Sequence, residues 1–88
     1  MKDKPKWPLR RIVEVDWLDA TSRGRWKSVD EQRKETVPTV CRTVGYLLVS
    51  DRHRVSVAQS QGTGGDATDT ITIPRGMVQR MRTIGKVR

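Results

Sequence analysis

From Arg11 to Trp17 the chain alternates, with Val13, Val15 and Trp17 on one side and Glu14 and Asp16 on the other. A period of two marks a strand with one face on a core and one in water. Val40–Ser50 is the longest β-rich run, and Gly45 stands at its centre. A glycine inside a strand signals a bulge or sharp bend, often where another backbone passes close. Asp51-Arg52-His53-Arg54 has the make-up of a hairpin turn, after which Val55, Val57 and Gln59 continue as a returning strand. Gln61–Asp66 reads as a polar, glycine-rich loop, and Thr70–Ile73 as a short strand stopped by Pro74. Met77 to Ile84 carries two periods at once. Met77, Met81 and Ile84 suit a helical face, whereas Val78, Arg80, Arg82 and Ile84 alternate. Among so many strands the second period prevails, giving one 3₁₀ turn after Pro74-Arg75-Gly76 and then a fifth strand.

The rest of the chain lacks a sustained period. Residues 1–10 read as a basic flexible arm, because Pro5 and Pro8 bracket Trp7 and suit neither helix nor ladder. Residues 18–39 form an insertion between the first two strands. Within it Ser28-Val29-Asp30-Glu31 matches a capping box, which predicts a short helix over Val29–Glu35 ending before Pro38. The expected fold is therefore mostly β: one domain over 11–88, a small five-stranded barrel with one short helix in that insertion. Closure suits a short chain because it removes exposed edges.

Composition narrows the chemistry. With 88 residues the chain is one domain, and without any Phe its packing falls to three Trp, one Tyr and the aliphatic residues. The single cysteine, Cys41, excludes an intrachain disulfide and a cysteine-based zinc site. Val44–Val49 is too short to cross a bilayer, and no apolar stretch follows the charged start. A reducing, cytoplasmic setting is expected. The net charge of +8 sits at the two ends: residues 1–11 hold five cations against one anion, and residues 75–88 hold five against none. Such ends suggest attraction to a polyanion such as nucleic acid, although charged tails also serve solubility alone.

The run Gly45-Tyr46-Leu47-Leu48-Val49-Ser50-Asp51-Arg52-His53 resembles the first motif of the Sm-like family. Its marks are a glycine, a large apolar residue two later, Asp at plus six and an aromatic or His at plus eight. Ile73-Pro74-Arg75-Gly76-Met77-Val78 looks like the second motif, an Arg-Gly pair between two strands. The resemblance covers roughly residues 40–84 and implies an SH3-like barrel. It also implies rings in which the fourth strand of one subunit pairs with the fifth of the next. Three features depart from the pattern: Val55 stands where the family has a base-contacting Asn, the loop Gln61–Asp69 is long, and the 18–39 insertion is extra. The barrel is thus better supported than RNA recognition. The chain also looks like the small, basic SH3-like proteins of bacteriophages and prophages, which implies a host cytoplasm.

Candidate chemistry is that of binding, and no enzyme is expected. His53 has only Asp51 nearby in sequence, and Cys41 opens an apolar strand, so a solvated turn residue and a small buried hydrophobe are the simpler readings. Asp66 and Asp69 lack the spacing of a calcium loop, and Gly62-Thr63-Gly64-Gly65 lacks the ending of a phosphate loop. No cofactor or metal is implied. The nucleic-acid-binding candidates are Lys6, Trp7, Arg10 and Arg11 in the arm, Arg25, Trp26 and Lys27 in the insertion, and Arg75, Arg80 and Arg82 near the end. A tryptophan flanked by cations can stack on bases while the cations meet phosphate. Alternatively both indoles could cap the barrel, a reading favoured for Trp7 and left open for Trp26; Trp17 belongs to the core. Pairing of the first and last strands would bring Arg10 and Arg11 near Arg80 and Arg82. The leading expectation is a nucleic-acid-binding module, DNA or RNA, with weak sequence preference. The alternative is a phage-type accessory or structural protein that docks on a host or virion protein. The short fourth strand and the charges at Arg80 and Arg82 favour a monomer or dimer over a ring.

Overall fold

The computed structural model describes residues 6–22 and 24–88. Its elements are β1 (Arg11–Asp19), α1 (Val29–Glu35), β2 (Thr39–Ser50), β3 (Arg54–Gln61), β4 (Ala67–Pro74), a 3₁₀ turn (Arg75–Met77) and β5 (Val78–Lys86). The strands form one antiparallel sheet in the order β4-β3-β2-β1-β5. The helix and the 3₁₀ turn stand where the sequence puts them. β4 starts earlier than expected, at Ala67, because Ser60 pairs with Thr68 and Gln61 with Ala67 beyond the apolar stretch.

β1 and β2 pair without interruption from Ile12↔Tyr46 to Asp19↔Thr39. The β2–β3 ladder, by contrast, begins only at Tyr46↔Ala58. Gly45 is where β2 leaves one layer and joins the other. A Cβ there would lie 2.6 Å from both the Ala58 carbonyl oxygen and Val57 Cγ1. Glycine at this position is the condition for the close approach.

The sheet curls strongly. Leu9 N–H donates to Gln61 Oε1 at 2.8 Å, and Gln61 Nε2 donates back to the Leu9 carbonyl at 2.9 Å. In a flat sheet this register would hold the two residues roughly 20 Å apart. The β3–β4 half therefore folds over the β1–β5 half, with Val13, Val15, Val55, Val57 and Ile73 buried between them. Trp17, Leu47, Ile71, Met77, Val78 and Met81 pack around that centre.

The curl stops short of the barrel expected from the sequence. β4 and β5 remain the edges of an open sheet and share no ladder among the described residues. At the Leu9 end one glutamine side chain bridges the layers in place of a ladder. The physical reason is the small size of the core: four valines, one isoleucine and Ala58 are buried, enough to hold two layers together but not to draw the outer strands around them.

α1 is capped as its sequence predicts. Ser28 Oγ accepts from the Glu31 N–H at 3.2 Å, with Asp30 and Glu31 in the first turn and Arg33 and Lys34 in the last. None of its residues is buried, so it projects from the sheet. The Cα radius of gyration is 17.8 Å, against about 12 Å for a compact chain of this length.

Candidate nucleic-acid interface

Antiparallel pairing of β1 with β5 sets Arg11 opposite Lys86, and the Val87 N–H donates to the Arg10 carbonyl at 2.8 Å. Arg10, Arg11, Lys86 and Arg88 thereby share one end of the sheet, all exposed. Arg11 lies along the surface, its Nε and Nη2 donating to Thr83 Oγ1 at 3.1 and 2.8 Å. Lys6 is exposed and Trp7 half-buried, both just ahead of the anchored Leu9. Among the described residues the ion pairs are made by Lys27, Arg33, Arg42, Arg54, Arg80 and Arg82, and by none of the cations at this end.

Arg80 and Arg82 are placed elsewhere, which corrects the expected crowding with Arg10 and Arg11. The register sets Arg80 opposite Asp16 and Arg82 opposite Glu14. On the other side of β1, Arg42 lies opposite Asp16. The outer face thus carries two carboxylates among three guanidinium groups. Arg42 is bidentate on Asp16, Nε to Oδ1 at 2.7 Å and Nη2 to Oδ2 at 3.1 Å. These bonds hold the Asp16 carboxyl below the usual carboxylate range and the Arg42 guanidinium above its own. Glu14 Oε1 is buried and receives no hydrogen bond, but Arg82, Arg42 and Arg80 stand 3.3, 3.5 and 3.7 Å from it. Its charge is compensated by proximity rather than by aligned donors.

Arg75 is committed to structure as well. Its Nε and Nη2 donate to the Asp51 carbonyl at 2.9 and 2.7 Å, and Nη2 also reaches Ser50 Oγ at 2.7 Å. The guanidinium ties the 3₁₀ turn to the β2–β3 turn. In that turn Asp51 Oδ1 accepts the N–H groups of His53 and Arg54 at 2.8 and 3.0 Å, and these bonds, that of His53 foremost, keep its carboxyl below the usual range.

The insertion places Trp26 wholly in solvent, at 101% relative exposure, between Arg25 and Lys27. Lys27 Nζ grips Glu35 at 2.8 Å, tying the approach segment to the end of α1. Thr21 Oγ1 donates to the Val37 carbonyl at 3.2 Å and spans the base of the excursion. Trp17 packs against the core, with Nε1 donating to Thr43 Oγ1 at 3.0 Å.

The ten candidates therefore fall into separate places. Lys6, Trp7, Arg10 and Arg11 lie at the basic end. Arg25, Trp26 and Lys27 lie beyond the far end of β1, whose nine residues measure about 26 Å. Arg75, Arg80 and Arg82 serve the turn and the outer face. Sequence reasoning missed Lys86 and Arg88 at the basic end, and Arg42 on the outer face. For Lys86 and Arg88 the signal was their place in the anion-free run of residues 75–88, whereas Arg42 needed the β1–β2 register that sets it opposite Asp16.

His53 is exposed in its turn, its Nε2 accepting from Arg52 Nε at 3.1 Å, and Cys41 is half-buried on β2. Among the described residues no three His, Cys, Asp or Glu side chains are grouped to hold a metal, and no helix is long and apolar enough to cross a membrane. Comparison with protein-family models, with curated proteins and with solved structures finds no match for this chain.

Proposed function

We propose that this protein is a small basic binding module that holds nucleic acid by its phosphates, with weak sequence preference. One observation carries the reading: Arg10, Arg11, Lys86 and Arg88 are exposed side by side, and no described carboxylate pairs with any of them. Phosphate binding gains from counterion release, which favours cations whose charge is not already compensated. Arg80 and Arg82 are compensated by Glu14 and Asp16. The strand order, the bend at Gly45 and the Arg75 tie to the Asp51 turn support kinship with Sm-like and SH3-like barrels, of the kind found in small phage proteins. The module then works in a reducing host cytoplasm. No catalytic step is assigned to His53 or Cys41.

The test is a salt titration of binding to a short DNA or RNA. Four phosphate contacts give a log–log slope of about −3 to −4. Replacing Arg10, Arg11 and Lys86 together with Gln should reduce it to about −1. The pair Arg80→Gln and Arg82→Gln is the control. It should leave the slope nearly unchanged while costing about 1–3 kcal/mol of stability, because Glu14 keeps a buried carboxylate with fewer cations around it. Failure of the wild type to bind at about 20 mM salt ends the nucleic-acid reading.

A second reading, docking on a protein, rests on the exposed apolar side chains of the insertion, Trp26, Val29 and Val37. Trp26→Ala separates the two. Stacking on a base is worth about 1–3 kcal/mol, so a loss of that size in single-strand affinity gives Trp26 to nucleic acid. An unchanged affinity leaves it to a protein.

A further inference from the structure

Apart from short strand ends such as Gln59–Gln61 of β3, which is laddered to β4 alone, three stretches of strand edge are open in this sheet. β4 carries an irregularity at Asp69, whose φ is 54°, and ends at Pro74. β5 carries the charges of Arg80 and Arg82 and meets β1 with two register shifts. Both are blunted in the ways natural edges usually are. The third is the first half of β2. From Thr39 to Val44 it is laddered to β1 alone, in unbroken register, since the β3 ladder starts at Tyr46. This stretch, Thr-Val-Cys-Arg-Thr-Val, has no proline, no glycine and no bulge, and its one charge is neutralised by Asp16. Val40 and Val44 are 69% and 51% exposed. Beside it the splayed layers leave a cleft of about 350 Å³, with Thr43 and Val44 on one wall and Val57, Gln59 and Ile71 on the other.

We infer that this edge pairs with the same edge of a second copy, antiparallel about a twofold axis near Cys41 and Arg42. A row of free backbone N–H and C=O groups is complementary to an extended strand, and the same segment in another copy is such a strand. Isologous pairing satisfies both edges at once and closes, leaving no further surface of that kind. Charge permits it there: the molecule carries +8, but the uncompensated cations of the basic end lie at the other end of β1. The product is one continuous sheet, β5-β1-β2 running into β2-β1-β5 of the second copy, which also covers the apolar wall of the cleft. This pairing stands independently of nucleic-acid binding.

Light scattering across concentrations up to about 1 mM, where even a millimolar dimer is well populated, should show twice the 10.1 kDa chain mass. Amide hydrogen exchange should show residues 39–44 protected more strongly as concentration rises. Val40→Lys with Val44→Lys alters exposed side chains only, and should keep the circular dichroism while weakening the dimer at least about 100-fold. Should that variant fail to fold, the exchange experiment on the wild type decides alone. A wild type that stays at the chain mass sinks the inference. So does a dimer whose 39–44 amides remain unprotected, or protection that arises only when a different protein is added.

Discussion

A methyl group added at Gly45 would meet the Ala58 carbonyl oxygen and Val57 Cγ1 at 2.6 Å, and the first of these is backbone that has no rotamer to escape into. Gly45→Ala should therefore cost about 1–3 kcal/mol by overpacking, read as a shift in the urea midpoint. A cost below about 0.5 kcal/mol would mean that β2 and β3 part easily. Two carboxylates set the response to acid. Asp16 is depressed chiefly by its hydrogen bond to Arg42, and Asp51 by backbone N–H groups, His53 first. A depressed folded value means that the stability is fully present above the unfolded value of about 3.9 and is lost as pH falls through the folded one. The thermal midpoint should drop below about pH 4. Asp16→Asn with Asp51→Asn should flatten that limb, and an unchanged limb would assign it to other groups.

At the scale of elements, α1 tests how far local signals act alone. It has seven residues, none buried, and one side-chain cap from Ser28. Isolated helices this short are marginal in water, so the cap matters more here than in a packed helix. Ser28→Ala should lower the helical population of Val29–Glu35 by about 1 kcal/mol, seen in Cα chemical shifts, and leave the melting of the sheet unmoved. A matching loss in global stability would show α1 to be packed in solution. The helix and strands were legible because their signals are local: Ser28 to Glu31 for the cap, Val13-x-Val15-x-Trp17 for β1, Gly45 for the bend. The start of β4 was not, because Ala67 and Thr68 are held by the ladder to Gln61 and Ser60 rather than by burial. The placement of Arg80 and Arg82 needed the β1–β5 register, and bulges between Ile12 and Val13 and between Asp16 and Trp17 shift that register without a mark in the chain. Closure was also beyond local reading, since β4 and β5 follow one another through the 3₁₀ turn whether or not they go on to share a ladder.

The whole molecule is long and thin, 70 Å by 21 Å by 20 Å, with Arg10, Arg11, Lys86 and Arg88 at one end of the sheet and the exposed indole, between Arg25 and Lys27, beyond the other. This division lets the two surfaces be altered separately: changes at Arg10, Arg11 and Lys86 should not disturb whatever meets Trp26. The contact between Arg10 and Val87 has a mechanical consequence too. A load applied through those two residues pulls β1 and β5 apart from a shared end, so their hydrogen bonds are stressed one after another, as a zipper opens. A load applied through Arg10 and Val78 pulls the same two strands from opposite ends, because Val78 pairs with Trp17, and stresses the ladder all together. Single-molecule pulling should find the first geometry yielding at a several-fold lower force than the second. Equal forces would place the mechanical barrier outside this ladder. Tethered by both ends to something that moves, the protein would let go early and gradually, unpeeling from its basic end.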